Sequence, residues 1–189
     1  MKILAFAASS STKSINHQLA SYAASLVASQ HEGTETEILN LNDYELPLFS
    51  EDKEAELGRP ELAKAFLEKI GNSDAVIISF AEHNGSYTAA YKNIFDWASR
   101  INPKVFQNKP MVLLATSPGP GGASSVLATA TASAPFFDGV VKASLSIPGF
   151  YDNFDNEQGC INNDEINSQL IHAVNCLRES TISTMKQAT

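Results

Sequence analysis

Short runs of apolar residues alternate along this chain with segments in which apolar residues recur at helical spacing. Each run is long enough for one β-strand, and most intervening segments are long enough for one helix. The alternation predicts repeated βα units, which build a parallel sheet. The central runs are almost continuously apolar, as expected where helices cover both faces of a sheet. Strands are predicted at residues 2–8, 35–41, 75–80, 111–116 and 140–147.

The predicted helices carry clear start and stop signals. Ser14 precedes the first helix and is a natural N-cap. Pro60 stands near the first turn of the second helix, and Gly71 marks its end. The pattern therefore predicts an α/β fold in which helices lie on both faces of the sheet. Helices are predicted at residues 14–29, 60–71, 88–101 and 122–137, and a fifth follows Asp164.

Residues 42–56 fit neither pattern, although their centre is the apolar stretch Leu46, Pro47, Leu48 and Phe49. Such a segment is either an ordered loop or a mobile lid. Its apolar centre predicts docking against another surface. That surface is either the protein's own or that of a partner subunit covering the site, and the sequence favours neither.

The third predicted helix is apolar on more than one side, which exceeds what a surface helix needs. Core packing accounts for one side, and a subunit interface is a second explanation for the other. Lys92 and Asp96 lie four residues apart and are expected to pair across one helical turn. The apolar positions are Tyr91, Ile94, Phe95, Trp97 and Ala98.

Composition narrows the class of protein. The 189 residues, 43% hydrophobic and 18% charged, predict one ordinary globular domain over residues 1–189. The formal net charge of −8 disfavours nucleic acid and anionic membrane surfaces as partners. The apolar stretch after Lys2 is too short for a signal peptide, and no window approaches a membrane span of roughly 18 apolar residues. Cys160 and Cys176 match no zinc or redox spacing, so we expect reduced thiols and a cytoplasmic location.

Three polar loops follow predicted strands, at residues 9–14, 81–87 and 117–122. In an open parallel sheet such loops meet at the carboxyl edge, where α/β proteins bind ligands. The first loop holds five hydroxyl side chains and opens a helix, which predicts an anion site. Capping of that helix is the alternative use of the hydroxyls. The loop has no glycine, so it matches neither the dinucleotide fingerprint nor the P-loop, and it favours a mononucleotide such as FMN.

Residues 8–16, Ala-Ser-Ser-Ser-Thr-Lys-Ser-Ile-Asn, resemble the G-S-x-R-x-x-S-x-N loop of the NAD(P)H-dependent FMN reductases and related quinone reductases. Residues 81–86 are similar to the P-E-Y-N-x-S segment of that family, and residues 91–97 to its L-K-N-x-x-D-W helix. Residues 117–122 are similar to its glycine-rich third loop. The resemblance spans roughly the first 150 residues and implies a flavodoxin-like three-layer sandwich, sheet order 2-1-3-4-5, FMN, and homodimers or homotetramers.

The resemblance also implies which residues bind FMN. Residues of the first loop would contact or orient the phosphate, backbone amides of residues 82–85 would follow the edge of the isoalloxazine ring, and the glycines of the third loop would offer N–H groups to its pyrimidine side. Asn84-Gly85 otherwise signals a hairpin, which we expect to be absent because a strand precedes it and a helix follows. The expected binding residues are Ser9, Ser11, Ser14, Ile15, Asn16, Glu82, His83, Asn84, Gly85, Ser117, Gly121 and Gly122.

The chain departs from the family pattern at Ser11, where the family carries arginine. Loss of a guanidinium removes a bidentate phosphate contact, so weaker FMN binding or an altered NADPH preference is expected, with Lys13 as a partial substitute. Smaller departures are Ala8 for glycine, Ala81 for proline and His83 for tyrosine.

The implied function is an NAD(P)H-dependent FMN or quinone oxidoreductase. Hydride would pass from NAD(P)H to FMN, and electrons on to a quinone, flavin or similar small-molecule acceptor, with no essential protein acid or base and no metal. A flavodoxin-like electron carrier is one alternative, and a flavin-free scaffold or regulatory protein is another. A hydrolase is disfavoured, because the chain has no G-x-S-x-G motif and its four histidines form no obvious triad or metal set.

Overall fold

The computed structural model describes residues 1–187, with side chains through Leu177. Five strands form one sheet in the order β2-β1-β3-β4-β5, and every neighbouring pair is parallel. This order and direction confirm the predicted flavodoxin-like arrangement. The strands are β1 Lys2–Ala8, β2 Glu35–Leu39, β3 Ala75–Phe80, β4 Pro110–Thr116 and β5 Val140–Ile147.

Helices cover both faces of the sheet. One face packs against α3, α4 and α5, and the other packs against α1 and α7, which gives the predicted three layers. None of the described helices is both long and apolar enough to cross a membrane. The helices are α1 Ile15–Gln30, α2 Glu51–Leu57, α3 Glu61–Gly71, α4 Ala89–Ile101, α5 Ser124–Ser133, α6 Phe150–Asn153 and α7 Asp164–Gln187.

The alternation of side chains along β1 shows why the central strands are apolar throughout. Leu4 and Phe6 belong to the core beneath α3 and α4, whereas Ile3 and Ala5 belong to the core beneath α1 and α7. All four side chains are fully buried. A strand covered on both faces therefore needs apolar residues at odd and even positions alike.

The structure shortens two predicted elements and adds small ones. β2 ends at Leu39, because Asn40 caps a 3₁₀-helix over Leu41–Tyr44 by accepting from the Asn42 N–H at 3.1 Å. α5 ends at Ser133 and a 3₁₀-helix over Ala134–Phe137 follows, since Pro135 cannot donate within an α-helix. The additions are α2, α6 and an antiparallel pair of β6 Phe154–Asp155 with β7 Cys160–Ile161.

Residues 42–56 dock on the protein's own α4. The Phe49 ring meets the Trp97 ring edge to face at 5.1 Å, and the Trp97 indole donates to the Pro47 carbonyl at 2.8 Å. Asn93 accepts from the Phe49 N–H at 2.8 Å and donates to the Leu46 carbonyl at 3.0 Å. The protein's own surface thus receives this segment, which explains part of the second apolar side of α4.

Candidate functional site

The three loops meet at the carboxyl edge of the sheet, as the βα pattern predicted. Thr88, the N-cap of α4, lies just after the second loop and donates through Oγ1 to the Ala8 carbonyl at 2.9 Å, beside the first loop. This bond is buried, so the start of α4 is fixed to the end of β1. The loops 9–14, 81–87 and 117–122 consequently form one surface, to which three neighbouring strands contribute.

The buried side chain of Asn16 links the first loop to β3 and β4 through hydrogen bonds. Its side-chain oxygen accepts from Ser79 Oγ at 2.7 Å and from the Thr116 N–H at 3.1 Å, while its amide nitrogen donates to the Thr116 carbonyl at 3.1 Å. The residue is 2% exposed. Of the two expected roles, contacting or orienting the phosphate, the second fits this side chain, because its polar atoms are enclosed and engaged with β3 and β4. Through these bonds Asn16 orients the first loop.

The first loop uses its hydroxyl oxygens as internal acceptors. Ser9 Oγ accepts from the Ser11 N–H at 3.2 Å, Ser11 Oγ from the Lys13 N–H at 3.3 Å, and Ser14 Oγ from the His17 N–H at 3.2 Å. The capping interpretation is therefore correct for Ser14. Ser9 and Ser11 instead stabilise the loop itself, because the N–H groups that they accept from precede α1. A hydroxyl that accepts one bond still has its own hydrogen to donate, so capping leaves it able to bind an anion.

The start of α1 adds two further donors. Ile15 and Asn16 occupy the first two positions of this 16-residue helix, where N–H groups have no intrahelical acceptor, whereas His17 and Gln18 bond to Ser14. The aligned peptide dipoles favour negative charge at this point. Within the described residues Lys13 forms no ion pair, and it is exposed beside the same turn. The residues present fit a terminal phosphate group.

The second loop contains a tight turn that the sequence interpretation wrongly excluded. His83 and Ser86 exchange backbone hydrogen bonds of 3.0 and 3.1 Å, and Asn84 and Gly85 between them have φ of 52° and 77°. A two-residue hairpin turn with both φ angles positive is the conformation that Asn-Gly favours. It needs only one bridging pair, so it fits between β3 and α4. Residues 83–86 are exposed.

Glu82 makes a long-range hydrogen bond that sequence reasoning missed. Its carboxylate accepts from the Val126 N–H at 2.9 Å, in the first turn of α5. The N-cap position of α5 is Ala123, whose side chain cannot accept a hydrogen bond. Glu82 therefore caps this helix from the neighbouring loop and ties the second loop to the third.

The two glycines of the third loop differ in their surroundings. Gly122 has φ of +58°, and a Cβ there would lie 3.0 Å from the Pro148 nitrogen and would also collide with Ser146 Oγ. Its N–H donates to the Gly119 carbonyl at 3.4 Å, so we correct the expectation that this group is offered to a flavin. Gly121 faces open space, with no atom within 4 Å of such a Cβ. Ser117 is partly buried, and its hydroxyl donates to the Gly119 carbonyl at 3.2 Å.

A cavity of about 420 Å³ opens beside the first loop, between residues 41–48 and the start of α4. Ser10, Tyr44, Ala90 and Asn93 are among the residues that line it, so its wall mixes polar and apolar groups. Sequence reasoning did not find this cavity, because residues 42–56 carry no periodic signal that would place them against α4.

The fold and the loop surface define a flavodoxin-like protein built to hold a mononucleotide at the strand ends. Residues 1–150 match the sequence family described as NADPH-dependent FMN reductase. The chain belongs to this family, which confirms the resemblance drawn from the loop motifs. FMN and NAD(P)H are accordingly the cofactor and electron donor of its class, and the carrier and flavin-free alternatives are not favoured.

Individual relatives agree with the family match. The chain is 35% identical over 120 residues to a 2-hydroxy-1,4-benzoquinone reductase from Burkholderia sp, covering 63% of this chain and 62% of that protein. It is 39% identical over 80 residues to an NADPH:quinone oxidoreductase from Arabidopsis thaliana, covering 42% and 40%. These alignments span less than two thirds of either relative.

A solved structure matches over nearly the whole chain. It is the flavoenzyme NAD(P)H:(acceptor) oxidoreductase from Paracoccus denitrificans, with a TM-score of 0.78 and 25% identity. The match covers 96% of this chain and 97% of that one. The shared architecture therefore extends beyond the motif-bearing first 150 residues.

Proposed function

We propose that this protein is an NAD(P)H-dependent oxidoreductase that binds FMN and reduces a quinone, a flavin or a similar small-molecule acceptor. The observation that carries the proposal is the convergence of the three loops over the unbonded N–H groups at the start of α1. Family membership and the quinone reductases among its relatives support it.

Each loop has a part in holding the cofactor. The N–H groups of Ile15 and Asn16 and the hydroxyls of Ser9, Ser11 and Ser14 would bind the phosphate. Residues 82–85 of the second loop, with Ser117 and Gly121 of the third, would border the ring; of these, residues 83–85 and Gly121 are exposed. Gly122 is buried and would hold the third loop in place. When bound, FMN supplies the redox chemistry, since its ring accepts a hydride from a reduced nicotinamide and gives electrons to an acceptor.

Access to the ring distinguishes an enzyme from an electron carrier. Residues 9–14 and 117–122 contain no aromatic side chain that could cover a flavin. The turn at Asn84-Gly85 is exposed and short, so it leaves space above the second loop. A nicotinamide ring and then an acceptor would reach the same face, which suits acceptors recognised by flat shape.

The proposal is tested by adding FMN to the purified protein without oxygen and then titrating in NADPH or NADH. We expect the visible flavin absorption band to bleach rapidly with protein and slowly without it, and to return when a benzoquinone is added. Flavin that binds but stays oxidised would leave the electron-carrier alternative. Flavin that does not bind at all would overturn the proposal.

Ser11→Arg is expected to tighten FMN binding about tenfold, because a guanidinium forms charge-assisted, bidentate bonds with phosphate. Lys13→Gln should weaken binding by a smaller factor, and both effects should shrink at high salt. Flavin fluorescence quenching measures the dissociation constants. Lys142→Gln on the edge strand β5 removes the same charge elsewhere and should change nothing; equal effects of the two lysine variants would contradict a local phosphate site.

We further propose a homodimer or homotetramer located in the cytoplasm. Leu48 and Phe136 are each 78% exposed, so both large apolar side chains are available for contact with a second subunit. Covering such positions by a second subunit would remove them from solvent. Light scattering of the purified protein measures the number of subunits.

A further inference from the structure

A second cavity lies between α4 and α5, on the face of the sheet rather than at its edge. Its volume is about 240 Å³, and its floor includes Phe80 of β3 and Leu113 of β4. Small side chains, Ala130 and Ala134, form the wall opposite α4 and leave the space open. None of the twelve residues expected to bind FMN lines it.

Aromatic rings make up most of the remaining wall. The Tyr91 ring lies 5.3 Å from that of Phe80 and 5.2 Å from that of Tyr87, and Phe95 continues the row at 5.8 Å from Tyr91. Rings at these distances pack against one another, and together they present a continuous aromatic wall on which another flat ring can pack. An apolar cavity of about 150 Å³ holds a benzene molecule, so this one has room for two fused rings.

One polar group inside the cavity lacks a partner. Tyr91 is 3% exposed, and its hydroxyl forms no hydrogen bond with any described residue, whereas the hydroxyl of Tyr87 pairs with Ser133 at 3.0 Å. Among the described residues, Thr131 alone has a fully enclosed polar side-chain atom without a partner. The Tyr91 hydroxyl is therefore not fully enclosed by protein atoms, and the cavity is the open space that Tyr91 lines.

The charge around the cavity selects an uncharged occupant. Lys92 and Asp96 at the rim neutralise each other through contacts of 2.7 and 2.8 Å, so no net charge faces inward from this pair. Burial raises the pKa of Tyr91 well above its usual range, and Tyr87 adds to the effect. The Tyr91 hydroxyl thus stays protonated at neutral pH and remains a donor.

We propose that this cavity is a second ligand site, which takes a neutral, flat aromatic molecule of one or two fused rings whose carbonyl accepts a hydrogen bond from Tyr91. The aromatic rows hold the rings, and the carbonyl satisfies the buried hydroxyl. Tyr87, at the end of the second loop, lines the cavity, but none of the twelve residues expected to bind FMN does, so the site does not depend on the proposed reductase activity.

Calorimetric titration of the full-length protein with 1-indanone tests the site, and indane serves as the matched ligand without a carbonyl. Tyr91→Phe keeps the ring and removes the donor, so indanone affinity should fall about five- to tenfold while indane affinity stays unchanged. Ala130→Leu fills the cavity and should abolish binding of both, whereas Ala128→Leu on the exposed side of α5 should affect neither. Saturating FMN should leave indanone affinity unaltered.

Three results would overturn the proposal. The first is that indanone does not bind, or that it binds to Tyr91→Phe and Ala130→Leu as tightly as to the native protein; either would show that the cavity is not its site. Displacement of indanone by FMN would assign it to the three-loop surface. Light scattering that shows a dimer broken by Ala130→Leu would assign the cavity to a second copy of the chain. If Ala130→Leu does not fold, the comparison of indanone with indane on Tyr91→Phe still decides.

Discussion

Asn16→Ala is expected to lower the free energy of unfolding by about 3–5 kcal/mol, the largest loss from any single side chain at the loop surface. The substitution removes the hydrogen-bond partner of three buried groups at once, namely Ser79 Oγ, the Thr116 N–H and the Thr116 carbonyl. An unpaired buried polar group costs about 1–3 kcal/mol, and a small cavity adds to the loss. Urea unfolding measures the change, with an unchanged m-value as evidence of two-state behaviour.

His17→Ala is the matched control, because His17 is the next residue along the helix and its side chain is exposed. Its bond to Ser14 is donated by the backbone N–H, which the substitution keeps. That variant should lie within about 0.5 kcal/mol of the native protein. FMN affinity should fall for Asn16→Ala and not for His17→Ala, since the loop loses its support. An Asn16→Ala protein as stable as the His17→Ala protein would show that the three bonds do not hold the loops together.

Asn16→Asp separates shape from hydrogen bonding. A carboxyl group matches the size of the amide but presents an oxygen where Nδ2 donates to the Thr116 carbonyl. Only the protonated acid can donate there, so burial should raise the folded-state pKa of this group above about 3.9. The stability of the variant is then full below pH 3.9 and falls as pH rises toward the folded pKa. The native protein should show no such loss over that range.

Local signals allowed the elements of the fold to be predicted. The apolar runs located the five strands of the parallel sheet, and Ser14 was correctly expected to cap α1. α2 was missed because none of its residues is buried, which leaves no apolar period to detect. Residues 42–56 were ambiguous for a related reason: their fixed points are backbone carbonyls that bond to Asn93 and Trp97, and a carbonyl carries no sequence signal.

The candidate site was predictable as a set of loops but not as a set of roles. Asn16 lies 63 residues from Ser79 and 100 from Thr116, and Glu82 lies 44 from Val126, so their bonds belong to the tertiary structure alone. The turn at Asn84-Gly85 is the opposite case. The Asn-Gly pair correctly signalled a tight turn. The preceding strand and following helix were wrongly taken to exclude it, because a turn closed by the single pair His83 and Ser86 needs no second strand.

Gly122→Ala is expected to cost about 2–4 kcal/mol of stability and to weaken FMN binding at least tenfold. A positive φ costs an L-residue about 1–2 kcal/mol, and overpacking adds about 1–3 kcal/mol. The added methyl group would press on Ser146 Oγ and on the backbone of Ile147 and Pro148, which a side-chain rotation cannot move away. The third loop must therefore shift, and its position relative to the second loop changes with it. Thermal unfolding and flavin fluorescence measure the two effects.

Gly121→Ala is the matched variant one residue earlier, where a methyl group meets open space. Its stability should stay within about 0.5 kcal/mol of the native protein. Its FMN affinity should nevertheless fall, because the methyl group enters the space in which we propose that backbone and flavin approach each other. Ser146→Ala added to Gly122→Ala should recover only part of the lost stability, since the contacts with Ile147 and Pro148 remain. Equal stability losses for both glycine variants would contradict this account, because Gly121 has neither the positive φ nor the close contacts of Gly122.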